Sequence, residues 1–324
     1  MLPSPPRFLP AFQMTRLSLV LGALADAWFV ILYTRGDARY NHVPAYEIPL
    51  AISLAVAVVL TVGLFAFAAT LNDLLDHRHD STFSPERPIP SGRIRTGQAV
   101  VIAIGALLTA LAAAIPFGTA GLVFAILAAT GILFYDAVGK HIPALGVLLA
   151  GLVHVMHMMI PNYDLAFTPP IWLIFTHVAA VAVMVHVVEE KRPRFRRWTI
   201  VWTIVGWMGW SGIILGLGLV RGPEAGFTPS DFGLGTMIWP AVAALAFIGV
   251  LWRKLPRVSG AIRAEKIRRY GAAWHAVYAS TWFAGLGLWR EAVAMGLVAI
   301  SGLVVMTLLR EVSVDDPGML GYRS

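Results

Sequence analysis

The chain has 324 residues, of which 58% are hydrophobic and only 13% charged, and its mean hydropathy is +0.72. Soluble domains carry about 25% charged residues, so a water-covered globule is excluded, and so are disorder, coiled coil and collagen. With no Cys there is no disulfide, thiolate metal site or cysteine nucleophile, and the net charge of +7 has to be understood from where it falls.

The composition leaves an all-α integral membrane protein, since long apolar runs rather than short alternating strands fill the chain. The opening segment, MLPSPPRFLPAFQMTR, reads as a short amphipathic lead-in and not as a signal peptide. Stretches of about 20 apolar residues place spans near 17–34, 47–70, 98–115, 118–136, 142–160, 169–188, 199–220, 234–252, 271–289 and 292–309. Between the last two, Arg290 and Glu291 are the polar break. The expectation is a bundle of nine or ten transmembrane helices forming one domain over residues 1–324. Most of the 25 Lys and Arg follow the even-numbered spans, in loops 77–97, 189–198 and 253–270 and at Lys140. The positive-inside rule makes those ends cytoplasmic, the membrane being the cell (inner) membrane. The basic surplus then meets anionic headgroups, and nucleic acid is not needed as a partner.

The first span contains Asp26 in GALADAWFVIL. A carboxylate at that depth is costly and usually faces the bundle interior; it either lines a substrate cavity or forms a hydrogen bond that pairs helices. The second span runs into LNDLLDHRHD. Asn72, Asp73, Asp76 and Asp80 fall within about 100° of one helical arc. Carboxylates so placed repel, which suits a site for Mg²⁺, a cation that takes carboxylate oxygens and bridges to phosphates. The plain alternative is a solvated acidic helix end. The next segment, SPERPIPSGRI, brings Arg87 and Arg93 in a turn fixed by Pro88, Pro90 and Gly92. Guanidinium forks suit phosphate oxygens, so metal-binding carboxylates and phosphate-binding cations stand together, as a diphosphate substrate requires. His77 and His79 are read as basic neighbours of those phosphates.

NDLLDHRHD followed by RPIPSGR resembles the first aspartate-rich motif of the UbiA superfamily of intramembrane prenyltransferases, and loosely its EboC-like branch. The order of spans and loops is similar from about residue 14 to residue 310. The resemblance implies a helical bundle open laterally to lipid. It implies Mg²⁺-dependent transfer of an isoprenyl group from its diphosphate to an aromatic or other lipophilic acceptor. Asp73 and Asp76 are then catalytic, and Tyr135 and Lys140 in FYDAVGKHIPALG resemble the family's Tyr…Lys segment, with Asp136 beside them. Where the family usually places several Asp after the sixth helix, this chain has HVVEEKRPRFRR. Glu189 and Glu190 are the ligands available there, with Asp73, Asp76 and Asp80 opposite.

Further along the apolar spans lie His154, His157 and His177. Singly each is read as a satisfied buried imidazole; together, His154 and His157 at i,i+3 face one way and are candidates for lining the acceptor pocket. The many Trp are read as interface anchors. Two other functions stay open. One is a non-catalytic polyprenyl- or lipid-phosphate-binding or transport protein on the same scaffold, kept alive by the altered second motif. The other is an ion-coupled transporter, which uses Asp26 and the His residues but leaves the acidic motif unexplained.

Overall fold

The computed structural model describes residues 20–85, 87–222, 233–255 and 260–314. The N-terminal lead-in, the start of the expected first span and Arg257 lie outside the described residues. Among the described residues every regular element is a helix. They are α1 (Val20–Gly36), α2 (Pro44–Glu47), α3 (Leu50–Leu75), α4 (His77–Phe83), α5 (Thr96–Ala114), α6 (Gly118–Ala137), α7 (Pro143–Met158), α8 (Pro169–Val188), α9 (Arg197–Arg221), α10 (Leu234–Lys254), α11 (Gly260–Gly285) and α12 (Trp289–Val314).

The local chemistry sets these boundaries. Pro143 opens α7 and Pro169–Pro170 open α8, where a missing N–H costs nothing. At the start of α5 the Gln98 carbonyl accepts the Arg95 N–H at 2.9 Å. Residues 96–137 form one apolar stretch by composition, yet the chain reverses within it at Gly118, whose φ of +81° with ψ of −179° is open only to a residue without Cβ. The expected break at Arg290–Glu291 falls instead at Leu286–Leu288, and both charged residues belong to the first turn of α12. The ninth expected span begins earlier than residue 271: α11 starts at Gly260, so its first turns carry Arg263, Glu265, Lys266, Arg268 and Arg269.

Among the described residues six stretches qualify by length and apolarity as candidate membrane spans, and one of them, 96–137, contains both α5 and α6. Their outer faces are greasy: Trp202, Val205 and Met208 on α9, Leu245, Ile248 and Trp252 on α10, and Val293, Leu297 and Ile300 on α12 are exposed. An inside-out distribution of this kind belongs in lipid. Small residues fill the interior instead, with Ala25, Ala27, Ala57, Ala110, Ala125 and Ala128 fully buried. That lets helix backbones approach where no water-driven force holds them together. Two of the expected interface tryptophans are packing residues. Trp282 is buried with its ring 5.3 Å from Phe167, and Trp207 Nε1 donates to Thr176 Oγ1 at 3.0 Å, tying α9 to α8.

The helix α1 stands at the centre, packed on α3, α7, α11 and α12, while α11 also packs on α8 and α10. The α1–α11 crossing is tight, because a Cβ on Gly22 would come within 2.7 Å of the Ala272 carbonyl oxygen. Gly22→Leu should therefore push the two helices apart and destabilise the fold by about 1–3 kcal/mol, read as a lower unfolding temperature in detergent. Orientation is checked separately with Thr82→Cys and Arg194→Cys, both at exposed positions of a chain without native Cys. Impermeant thiol reagent should reach them only from the cytoplasmic side; labelling from outside contradicts the orientation.

Candidate functional site

The acidic segment sits where α3 ends. A single helix through Asp80 was expected; the structure has two, because α3 stops at Leu75 and Asp76 (φ −85°, ψ 0°) caps it before α4 begins. The hydrogen bonds still continue across the joint, Asp76 N–H to the Asn72 carbonyl at 2.9 Å and Asp80 N–H to the Asp76 carbonyl at 2.8 Å. Helical spacing then sorts the four side chains into two sets rather than one face. Asn72 and Asp76, at i,i+4, meet Lys140; Asp73 and Asp80, at i,i+7, meet Arg87.

Lys140 follows α6 and reaches back to the end of α3. Its Nζ lies 2.6 Å from Asp76 Oδ1, 3.3 Å from Asn72 Oδ1 and 3.9 Å from Asp136 Oδ1. Arg87 Nη1 donates to Asp80 Oδ2 at 2.7 Å and lies 3.8 Å from Asp73 Oδ1. Asp73, Asp80 and Asp136 are buried, with Arg87 and Lys140 only partly so. Each cation is thus shared between two carboxylates. Tyr135 is half-buried on α6 beside Asp136, and Arg93 is exposed, its Nε donating to Ser91 Oγ at 3.0 Å. His79 stacks on Phe83 at 4.6 Å, on the outer side.

The donor set is made of hard oxygens, without sulfur or imidazole, and that chemistry fits Mg²⁺. Asn72, Asp73, Asp76 and Asp80 would hold it. The carboxylates do not converge into a ready cage. Among the described residues the one group of three His, Asp or Glu ligand atoms lying within 4.8 Å of one another is Asp26, His154 and His275.

The second acidic pair is arranged differently from a helical continuation. The helix α8 ends at Val188; Glu190 takes a positive φ of 49°, and His186 Nε2 donates to the Pro193 carbonyl at 2.9 Å rather than facing Glu190. Glu189 is paired with Arg268 of α11 and with Lys191 at 3.2 Å, and Glu190 is exposed.

The three substrate-binding candidates within the spans, Asp26, His154 and His157, divide. His154 Nδ1 is 3.3 Å from Asp26 Oδ2, whereas buried His157 turns to Thr61, with Nε2 3.0 Å from Oγ1. They share a helix but not a partner, so their common face does not make one pocket wall. Asp26 is also 2.8 Å from His275 Nδ1 on α11. Nothing in the sequence singled out His275, which is 249 positions away from Asp26; only the packing of α1 on α11 reveals it. His177 is a satisfied buried imidazole, as read singly, bonded to the Gly271 carbonyl at 3.1 Å and the Tyr278 hydroxyl at 3.2 Å.

Residues 40–277 match the family model of the UbiA prenyltransferase family. The digeranylgeranylglyceryl phosphate synthase of Saccharolobus solfataricus is 35% identical over 77 residues, 24% of this chain; the match spans only 27% of that relative's length. A solved structure from work on digeranylgeranylglyceryl phosphate synthase in membranes gives a TM-score of 0.56 at 16% identity, covering 86% of this chain and 98% of that one. The apo UbiA homologue from Aeropyrum pernix K1 gives 0.53 at 15% identity, covering 84% and 99%. At such identities the two structural likenesses speak for the fold.

Lys140 is the cation that holds the ends of α3 and α6 together. Lys140→Met should leave Asp76 and buried Asp136 short of their cation and cost about 1–2 kcal/mol of stability. Thermal unfolding with and without added Mg²⁺ checks this: the variant should gain more from the ion than the wild type does.

Proposed function

This chain belongs to the UbiA prenyltransferase family, and we propose on that premise that it transfers an isoprenyl group from an isoprenyl diphosphate to a lipophilic acceptor, with Mg²⁺, in the cell membrane. The observation that carries the reading is the gathering of Asp73, Asp76, Asp80 and Asp136 around Arg87 and Lys140 where α3 and α6 end. A diphosphate needs both kinds of charge at once. Mg²⁺, when bound, supplies neutralisation of the phosphate oxygens and Lewis-acid help to the leaving group.

The protein's own groups do the rest. Arg87 is kept at the site by Asp80 and Asp73, and its planar fork matches two phosphate oxygens. Lys140, a compact charge, is kept there by Asp76 and Asn72 and meets the negative charge that builds as the C–O bond breaks. Glu189 and Glu190 form the second carboxylate set in this reading, on the opposite loop, with Arg268 close to Glu189. The apolar helices below exclude water from the allylic cation. An apolar cleft of about 370 Å³, lined by Ile142, Leu145, Leu148, Trp198 and Trp202, begins two residues beyond Lys140 and suits a hydrocarbon chain. The loops bearing these charges face the cytoplasm in this reading.

The competing function, a binding or transport protein for polyprenyl or lipid phosphates, shares the cation and carboxylate cluster but not turnover. Purified protein in nanodiscs, given dimethylallyl, geranyl, farnesyl or geranylgeranyl diphosphate, should release pyrophosphate in a Mg²⁺-dependent way. Asp76→Ala should lower that rate at least about 100-fold with little loss of folding temperature, since Asp76 is a partly solvated ion contact and not core. Tight diphosphate binding without release from any of the four favours the binding protein.

A further inference from the structure

The acidic cluster handles the leaving group, but it leaves open how the acceptor gives up its proton. The buried polar residues at the centre of the bundle answer that. Asp26 on α1 receives two imidazoles through one oxygen, His275 Nδ1 at 2.8 Å and His154 Nδ1 at 3.3 Å. A carboxylate accepts, so both Nδ1 atoms carry hydrogen, and in the neutral ring the lone pair is then on Nε2. From there the two differ. His275 is buried between α1 and α8, its ring 5.4 Å from His177. His154 keeps 20% of its side chain exposed, and its ring lies edge-on to Phe65 at 6.3 Å.

Phe65 marks the way to the diphosphate. Phe65, Ala68 and Asn72 are half-buried residues of α3 spaced i, i+3 and i+7, so they share a face. At one end that face carries Asn72, which accepts from Lys140; at the other it touches His154. Seven residues of helix span about 10 Å. An attacking atom stands about 3 Å from the carbon it attacks, and a base about 3 Å from the proton it removes. Those two contacts and the C–O–P linkage between them are together of the same order as this spacing.

We infer that His154, oriented by Asp26, is the general base that deprotonates an acceptor bearing a hydroxyl group, an alcohol or a phenol. This rests on the prenyl-transfer reading above. The allylic C–O bond breaks with its electron pair going to diphosphate. A lone pair of the acceptor oxygen forms the new C–O bond, the proton passes to His154 Nε2, and the Asp26 carboxylate stabilises the imidazolium. The product is an ether plus diphosphate. Of the other titratable groups near this unit, His177 donates to Gly271 and accepts from the Tyr278 hydroxyl, and His157, on the same helix as His154, is held to Thr61 through Nε2.

The test compares wild type with His154→Gln and Asp26→Asn in nanodiscs. The probes are one isoprenyl diphosphate and a set of lipophilic alcohols and phenols of graded acidity. Mg²⁺-dependent binding of the diphosphate should stay within about twofold in both variants, which also shows that they fold. Transfer to the least acidic alcohol should fall by about 10²–10⁴ in kcat, and transfer to the most acidic phenol, which ionises unaided, by much less. The acid limb of the pH–rate profile should vanish in His154→Gln. Equal losses across the acceptors, an unchanged acid limb, or no loss at all overturns the inference. So does one equivalent of Zn²⁺ bound by the wild type and lost equally from His154→Gln and His275→Gln, because the three ligand atoms would then be a metal site. Transfer by the wild type to carbon acceptors alone refutes the hydroxyl acceptor and leaves prenyl transfer standing. Absence of any pyrophosphate release removes both.

Discussion

A charge inside an apolar helix bundle must have a partner, because neither lipid nor packed alkyl groups can solvate it. Three sets of pairs in this protein follow from that constraint. At the end of α3, Arg87 and Lys140 each serve two carboxylates. At the centre, Asp26 takes two imidazoles. At the end of α8, Glu189 takes Arg268 and Lys191. Each pairing also joins helices: α3 to the segment after α6, α1 to α7 and α11, and α8 to α11. Helix packing and charge compensation are therefore the same contacts seen twice.

That double role explains how a site can be both crowded with acids and stable before substrate arrives. Like charges on one helix end repel, but here the spacing divides them between two cations. The same cations are the groups a diphosphate would recruit. Holding them by carboxylates keeps two long, flexible side chains ordered in advance, so less conformational freedom is lost on binding.

The helical, lipid-embedded character was legible from composition alone, and the acidic string was legible because its spacing is a local property of one segment. Each of the ten expected spans has at least one end within a few residues of a helix boundary, since Pro and Gly punctuate the chain strongly. What the sequence hid was everything that depends on distance in the fold. The separate partners of His154 and His157 and the engagement of Glu189 by Arg268 arise from contacts with residues far along the chain. His275 was invisible for the same reason: a lone His in an apolar run carries no signal until α1 is laid against α11. The break between the last two helices lies at Gly287, whose φ of +75° stops a helix more strongly than the charged pair Arg290 and Glu291 does.

The tie between Asp26 and His275 has a consequence for how the protein is made. The two residues are 249 positions apart, and His154 follows Asp26 by 128. Ribosomes add roughly 5–20 residues each second, so His154 is made about 6–26 s after Asp26, and His275 about 12–50 s after it. For that interval the nascent helix carries a carboxylate with no permanent partner. It has to be carried protonated, or remain beside the insertion machinery, until α7 and then α11 arrive. Assembly of the bundle is thus ordered by a single acid waiting for two bases, and it closes only when nearly the whole chain has been synthesised.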